Sequence, residues 1–330
     1  MPLRNFVSLL FLALGALFGS ALGAEELNVH FKTTPRLELL RPFADPIDLS
    51  LLVTGTDGRP VEGGSVAIRV DAPAPGVFFS TDYPLVEGTR LTELSLPLRQ
   101  GTAGWKYLFP VRGEYRLTAD VISDDGRKAS KAFTFTVREN RRKWLALGAF
   151  SAGLFALGFV AGRIFTRPRA NAISLIAVSA LFAPTIGNVS AQQPAPGNAA
   201  VLEIAPATVG GPTDLRWSLP REGGAGDRFV ALSLTITHLE KQKIVFAIEK
   251  IPVAGEWSMK FHFPDGAEYR VAAVGNAPGR APVRTEQVVS VTGVEPPAGT
   301  MLRALAYFLG LIALGLGLGR WSKRRMASRP

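Results

Sequence analysis

The chain has 330 residues, 47% of them hydrophobic, a formal net charge of +10 and no cysteine. The missing thiols exclude disulfides, thiolate catalysis, zinc–thiolate centres and iron–sulfur clusters, so folding rests on burial alone. The positive charge does not make a nucleic-acid face, because Arg4, Arg138, Arg141, Arg142, Lys143, Arg163, Arg167, Arg169, Arg303, Arg320, Lys323, Arg324, Arg325 and Arg329 flank apolar blocks and the rest is near neutral.

Residues 1–24 read as a signal peptide: Arg4, an apolar run from Phe6 to Leu22, then small residues before Glu25-Glu26. Residues 25–143 have the mixed polarity of an exported domain. Within them Ile47, Leu49, Leu51 and Val53 alternate with polar or small residues, Asp57-Gly58-Arg59-Pro60 forms a turn, and Val66, Ile68 and Val70 alternate again. Leu94, Leu96 and Leu98 predict a further strand, as do Trp105, Tyr107 and Phe109, then Tyr115, Leu117, Ala119 and Val121. After the turn Asp124-Asp125-Gly126, a last strand carries Phe133, Phe135 and Val137.

Trp144–Gly162 carries no charge over 19 residues, enough at about 1.5 Å per residue to cross a hydrocarbon core, and predicts a transmembrane helix over 144–165. A cytoplasmic loop, 166–171, leads to a second apolar span over 172–191. Arg167-Pro168-Arg169 before it and Val189-Ser190-Ala191 after it make this span resemble a second signal peptide. Cleavage after Ala191 therefore stands as an alternative to a re-entering helix. Residues 192–300 form a second exported domain, with strands marked by Val230 to Ile236, Ile244 to Ile248, Trp257 to Phe263 and Tyr269 to Ala273. A last helix over 301–319 ends in the basic tail 320–330. The tail obeys the positive-inside bias. Arg138, Arg141, Arg142 and Lys143 run against it, since export of the first domain places them outside.

The two exported domains are copies. At an offset of 154, Phe109-Pro110, Gly113-Glu114-Tyr115-Arg116-Leu117 and Ala119 match Phe263-Pro264, Ala267-Glu268-Tyr269-Arg270-Val271 and Ala273. Ala103-Gly104-Trp105 also echoes Ala254-Gly255-Glu256-Trp257. Six or seven short strands per copy, each with one apolar face, predict an all-β class: two antiparallel Ig-like β-sandwiches plus transmembrane helices. Thr56-Asp57-Gly58-Arg59-Pro60-Val61-Glu62-Gly63-Gly64, with Gly113-Glu114-Tyr115-Arg116, resembles the YtkA-like Ig-like modules of bacterial exported proteins. That resemblance implies a β-sandwich and a link to copper handling, although the Met- and His-rich ligand set of a copper carrier is missing.

Three histidines, His30, His238 and His262, are the candidate imidazole ligands, and an alternative reading places copper on His238, His262 and Met259. Met259 and His262 lie three apart on one strand and so are expected on opposite faces. Glu114 and Arg116, like Glu268 and Arg270, are expected on a solvent face, and Tyr115 and Tyr269 to fix sandwich corners. Gly158 and Gly162, and Gly315 and Gly319, form small-xxx-small faces for helix packing. No GxSxG, HExxH, P-loop or dinucleotide fingerprint occurs in a soluble segment, and no enzyme or cofactor is expected. The expected function is display at a bacterial inner membrane, with both domains outside as a binding or assembly module for an envelope or membrane protein. The expected partners are that protein and the lipid bilayer. Copper handling and a hydrolase with an unrecognised site are the alternatives.

Overall fold

The computed structural model describes residues 27–165, 200–219, 229–295 and 298–327. The signal segment, the loop 166–171 and the span 172–191 lie outside the described residues. The first copy comprises β1 (Asn28–Thr34), β2 (Ile47–Thr54), β3 (Gly64–Asp71), β4 (Arg90–Pro97), β5 (Thr102–Tyr107), β6 (Gly113–Ser123) and β7 (Lys128–Val137), followed by α1 (Arg141–Ile164). The second comprises β8 (Val201–Ile204), β9 (Pro212–Ser218), β10 (Val230–His238), β11 (Lys243–Val253), β12 (Glu256–His262), β13 (Glu268–Asn276) and β14 (Val283–Ser290), followed by α2 (Ala298–Ala327).

Period-two alternation dictates the layers. On β2 Ile47, Leu49, Leu51 and Val53 are buried, and on β6 Tyr115, Leu117, Ala119 and Val121 are almost wholly so. Two antiparallel seven-stranded sheets close over this core, in the orders β1-β2-β5-β11-β10-β13-β14 and β7-β6-β3-β4-β12-β9-β8. The fold class expected from the sequence holds, with one feature that alternation cannot reveal: both sheets run unbroken through both copies. The first copy gives three strands to one sheet and four to the other, and the second copy does the reverse.

The two junctions are equivalent. β5 meets β11 with Tyr107 opposite Phe246 and Lys106 opposite Ala247, while β12 meets β4 with Phe261 opposite Thr92 and Lys260 opposite Glu93. Each partner in one junction lies 154 residues from its counterpart in the other, so the copies are related by an approximate two-fold axis between the sheets. The register also corrects one reading of the repeat. Met259, not Trp257, is the counterpart of Trp105; Trp257 instead faces Trp217 and donates Nε1–H to the Ser95 carbonyl of the first copy at 3.1 Å.

The helices follow the same symmetry. Among the described residues, α1 and the Met301–Arg325 part of α2 are long and apolar enough to cross a membrane. A Cβ on Gly158 would lie 2.4 Å from the Ile312 carbonyl and one on Gly162 2.3 Å from that of Leu316. Reciprocally, Gly315 and Gly319 would meet the carbonyls of Phe155 and Phe159 at 2.4 and 2.2 Å. The four glycines thus let two backbones touch, and the contacts advance together along both chains, so the helices are parallel. Asn140 caps α1, its side chain accepting from Arg142 N–H at 3.0 Å.

Candidate functional site

The two-fold relation fails conspicuously at one place, the end of the sandwich from which the helices depart. Between β3 and β4 the first copy has eighteen residues, Ala72–Thr89; between β10 and β11 the second has four, Leu239–Gln242. The long β3–β4 connection is rigidly held. Its buried Glu87 accepts from Ser80 Oγ at 2.8 Å and from Thr81 N–H, closing the segment on itself. Pro73 packs where a Cβ on Gly113 would sit, 2.5 Å away, and Gly113 has φ +127°. This explains the difference in the repeat: the second copy, lacking the long connection, has Ala267 at that place.

From this anchorage the connection reaches both helices and the other copy. Phe79 packs edge-on to Tyr307 of α2 at 4.9 Å and near Phe308 at 5.8 Å; Phe78 lies 6.2 Å from Tyr307. Asp82 pairs with Lys143 at the start of α1. The Leu85 carbonyl stands 2.4 Å from where a Cβ on Gly210 would be, a position with φ +71° in the β8–β9 connection. Tyr83 stacks on Phe43 at 5.2 Å and accepts from Lys241 Nζ at 2.7 Å.

Lys241 leads into a polar cluster between the copies. Its Nζ lies 4.0 Å from the Phe43 ring centre and 2.6 Å from Asp265 Oδ2, which also meets His238 Nε2 at 3.2 Å; Tyr269 Oη donates to Asp265 Oδ1. Burial pushes the Asp265 pKa up, but its bonds from Lys241, Tyr269 and His238 outweigh this and hold it below the ordinary 3.8. For Lys241 burial acts downward, and Asp265 with the Tyr83 hydroxyl overcome it, so that its pKa is raised. Desolvation raises the Tyr83 pKa. With its carboxylate taken by three donors, the cluster is built to join surfaces rather than to trade protons with a substrate.

The same corner in the first copy is simpler. Tyr115 Oη donates to the Val111 carbonyl at 2.6 Å and accepts from Val111 N–H at 3.0 Å, the corner bond expected from the sequence; in the second copy Asp265 replaces Val111 and its carboxylate substitutes for the backbone. Glu114, Arg116, Glu268 and Arg270 are solvent-facing, with Arg270 paired to Glu286 at 2.9 Å.

The candidate metal ligands are divided between the sheets. His238 ends β10 in one, whereas Met259 and His262 are on β12 in the other, and His30 is exposed on β1. The strict alternation expected of Met259 and His262 breaks at the end of β12, where both Phe261 and His262 are buried. Among the described residues no group of three His, Asp or Glu side chains is placed to hold a metal ion. Burial lowers the His262 pKa below 6.5, against a bond to the Gly210 backbone, and its Nδ1 has no partner among the described residues. Sequence reasoning missed Tyr83, Lys241 and Asp265, whose only signal was the unequal length of two equivalent connections.

No family model matches the chain, and no curated protein does. Solved structures do: a red sea bream transglutaminase (9% identity, TM-score 0.21, covering 82% of this chain and 32% of that one) and a 1.5-MDa bacterial ice-binding adhesin (9%, 0.23, 81% and 66%). The Yersinia pseudotuberculosis adhesin InvE is a third (9%, 0.20, 81% and 61%). This chain spans less than two thirds of each of them. At such scores the likenesses carry no weight for function, and the sandwich stands on its own strand pairing.

Proposed function

We propose that the protein is a membrane-anchored binding or assembly module that holds one rigid double sandwich on the extracytoplasmic face of a bacterial cytoplasmic membrane for an envelope partner. The observation that carries this reading is the coupling of continuous sheets to a close-packed parallel helix pair. Both helices leave the same end of the sandwich, and the β3–β4 connection fastens that end to α1 and α2 at once. Such a mount fixes orientation without occupying the opposite end, where the β2–β3, β4–β5 and β6–β7 turns face away from the helices. The YtkA-like resemblance falls partly there, since Thr56–Gly63 lies in the β2–β3 connection.

Two parallel helices, each following its own copy, require the chain between Phe165 and Ala200 to come back to the sandwich side. That supports residues 172–191 as a second crossing, and a cut after Ala191 would leave that crossing and the parallel helices unchanged. The natural absence of cysteine makes the topology directly testable. A cysteine placed at Asp57 should react with a membrane-impermeant maleimide in intact spheroplasts, and one at Trp321 only after lysis. Labelling at Trp321 before lysis, or at Asp57 only after it, sinks the proposal.

A further inference from the structure

The β3–β4 connection, the end of β7 and the start of α1 enclose a groove of about 780 Å³ at the level where α1 begins. Its polar wall carries Arg41, Arg112, Arg138 and Arg141; its other wall, towards the helices, carries Phe79 and Trp144. Two carboxylates also line it, and both are committed. Glu87 is closed within its own connection, and Glu139 takes Arg112 at 3.0 Å and the Asn140 N–H at 2.9 Å. Arg112 in turn lies 5.2 Å from the Trp144 ring centre, tying the two walls. Arg41 donates to the carbonyls of Glu38 and Leu40, which aim its guanidinium without neutralising it. Among the described residues Arg41, Arg138 and Arg141 have no carboxylate within ion-pairing distance, so the groove keeps a positive balance.

We infer that this groove binds the headgroup of an anionic phospholipid of the outer leaflet. Its phosphodiester would lie on Arg138, Arg141 and Arg41, and the glycerol end and first methylenes against Trp144 and Phe79. Guanidinium forks match phosphate oxygens, and an indole beside them suits the amphipathic interface. The exposed Val77 and Phe78 of the same connection add an apolar tip that enters the interface next to the groove. The assignment also answers the anomaly in the charge pattern: arginines retained outside, against the positive-inside bias, serve as ligands rather than as topology signals. It rests on the membrane-anchored reading.

The test uses the full chain in nanodiscs of equal parts phosphatidylglycerol and phosphatidylcholine, released and weighed by native mass spectrometry. Wild type should retain phosphatidylglycerol over phosphatidylcholine by roughly 30-fold, as two arginines near an anionic surface would give. An Arg138→Gln/Arg141→Gln variant should fall towards the bulk ratio. Retention at the bulk ratio by wild type, or unchanged enrichment in the variant, overturns the inference. So does release of the lipid by millimolar glycerol phosphate, which would make the site one for a soluble anion. Alkaline carbonate extraction separates the two readings. A chain washed off membranes fails the anchoring, whereas a chain that stays but shows no enrichment fails only the headgroup site.

Discussion

Phe246→Ala tests whether the two copies form one folding unit. Phe246 is fully buried on β11, its backbone opposite Tyr107 of the first copy and its ring 6.0 Å from Phe261. Truncation removes a buried ring and leaves a cavity, at about 4 kcal/mol. Around it the copies are joined by Leu108 N–H to the Val245 carbonyl at 2.9 Å, Thr92 Oγ to the Lys260 carbonyl at 3.2 Å and the Trp257–Ser95 bond. If those links make opening global, the slowest-exchanging amides of Ile68 and Leu117, deep in the first copy, should lose protection together with that of Val271 in the second. At about 1.4 kcal/mol per decade the loss is ~10³-fold at all three. Hydrogen exchange of the full-length protein in detergent, read peptide by peptide, measures it. Loss of protection in β13 with β3 and β6 unchanged would refute the argument and make the copies independent.

The two tyrosine corners should respond unequally. Tyr115→Phe strands a buried N–H and C=O of Val111 and should cost about 2–4 kcal/mol, whereas Tyr269→Phe leaves Asp265 its Lys241 and His238 partners and should cost about 1 kcal/mol; urea unfolding that finds the second as costly as the first contradicts this. Acidification should weaken the fold in two windows. His262, whose folded pKa lies below 6.5, binds its proton more readily when unfolded, so stability falls as pH drops below 6.5 and His262→Phe should flatten that slope. Asp265, depressed below 3.8, contributes stability present above 3.8 and lost as pH falls further through its folded value; Asp265→Asn should abolish that step. In the helix pair, Gly158→Leu puts side-chain atoms on the Ile312 backbone, so spin labels at Ile164 and Trp321 should move apart by a few Å, and an unchanged distance would deny the helix contact.

Legibility in the sequence followed the physics of each feature. Buried strands with clean alternation, such as Ile47 to Val53 and Tyr115 to Val121, announced themselves because one face is apolar and the other wet. Two of the edge strands, β1 and β8, did not. On β1 only Val29 is buried among Asn28–Thr34, and β8 is four residues long, so both carry too little pattern to read. The merging of the sheets was equally silent, since β4 and β12 look like edge strands until their partners are known. The small-xxx-small spacing raised a helix seam as an expectation, and Gly158, Gly162, Gly315 and Gly319 sit where the two helix backbones come closest. The Asp265 cluster joins residues up to 222 positions apart, Phe43 to Asp265, and no local period encodes it.

The one break in symmetry explains why this architecture needs a fused chain. In a dimer of identical subunits the β3–β4 connection would be long in both or short in both. Here Tyr83 of the long connection bonds Lys241 of the short one, the equivalent element of the other copy, so neither identical pairing can make the contact. The corners diverge in the same sense, with Val111 in one copy and Asp265 in the other, and it is Asp265 that holds Lys241 in place. Gly113 against Ala267 belongs to the same set, because only the copy with the long connection must make room for Pro73. Continuous sheets and a parallel helix pair are properties that two-fold repetition alone provides. Fastening those sheets to the helices by a single eighteen-residue element is available only once the copies are free to differ, and the groove beside α1 arises on that differentiated side.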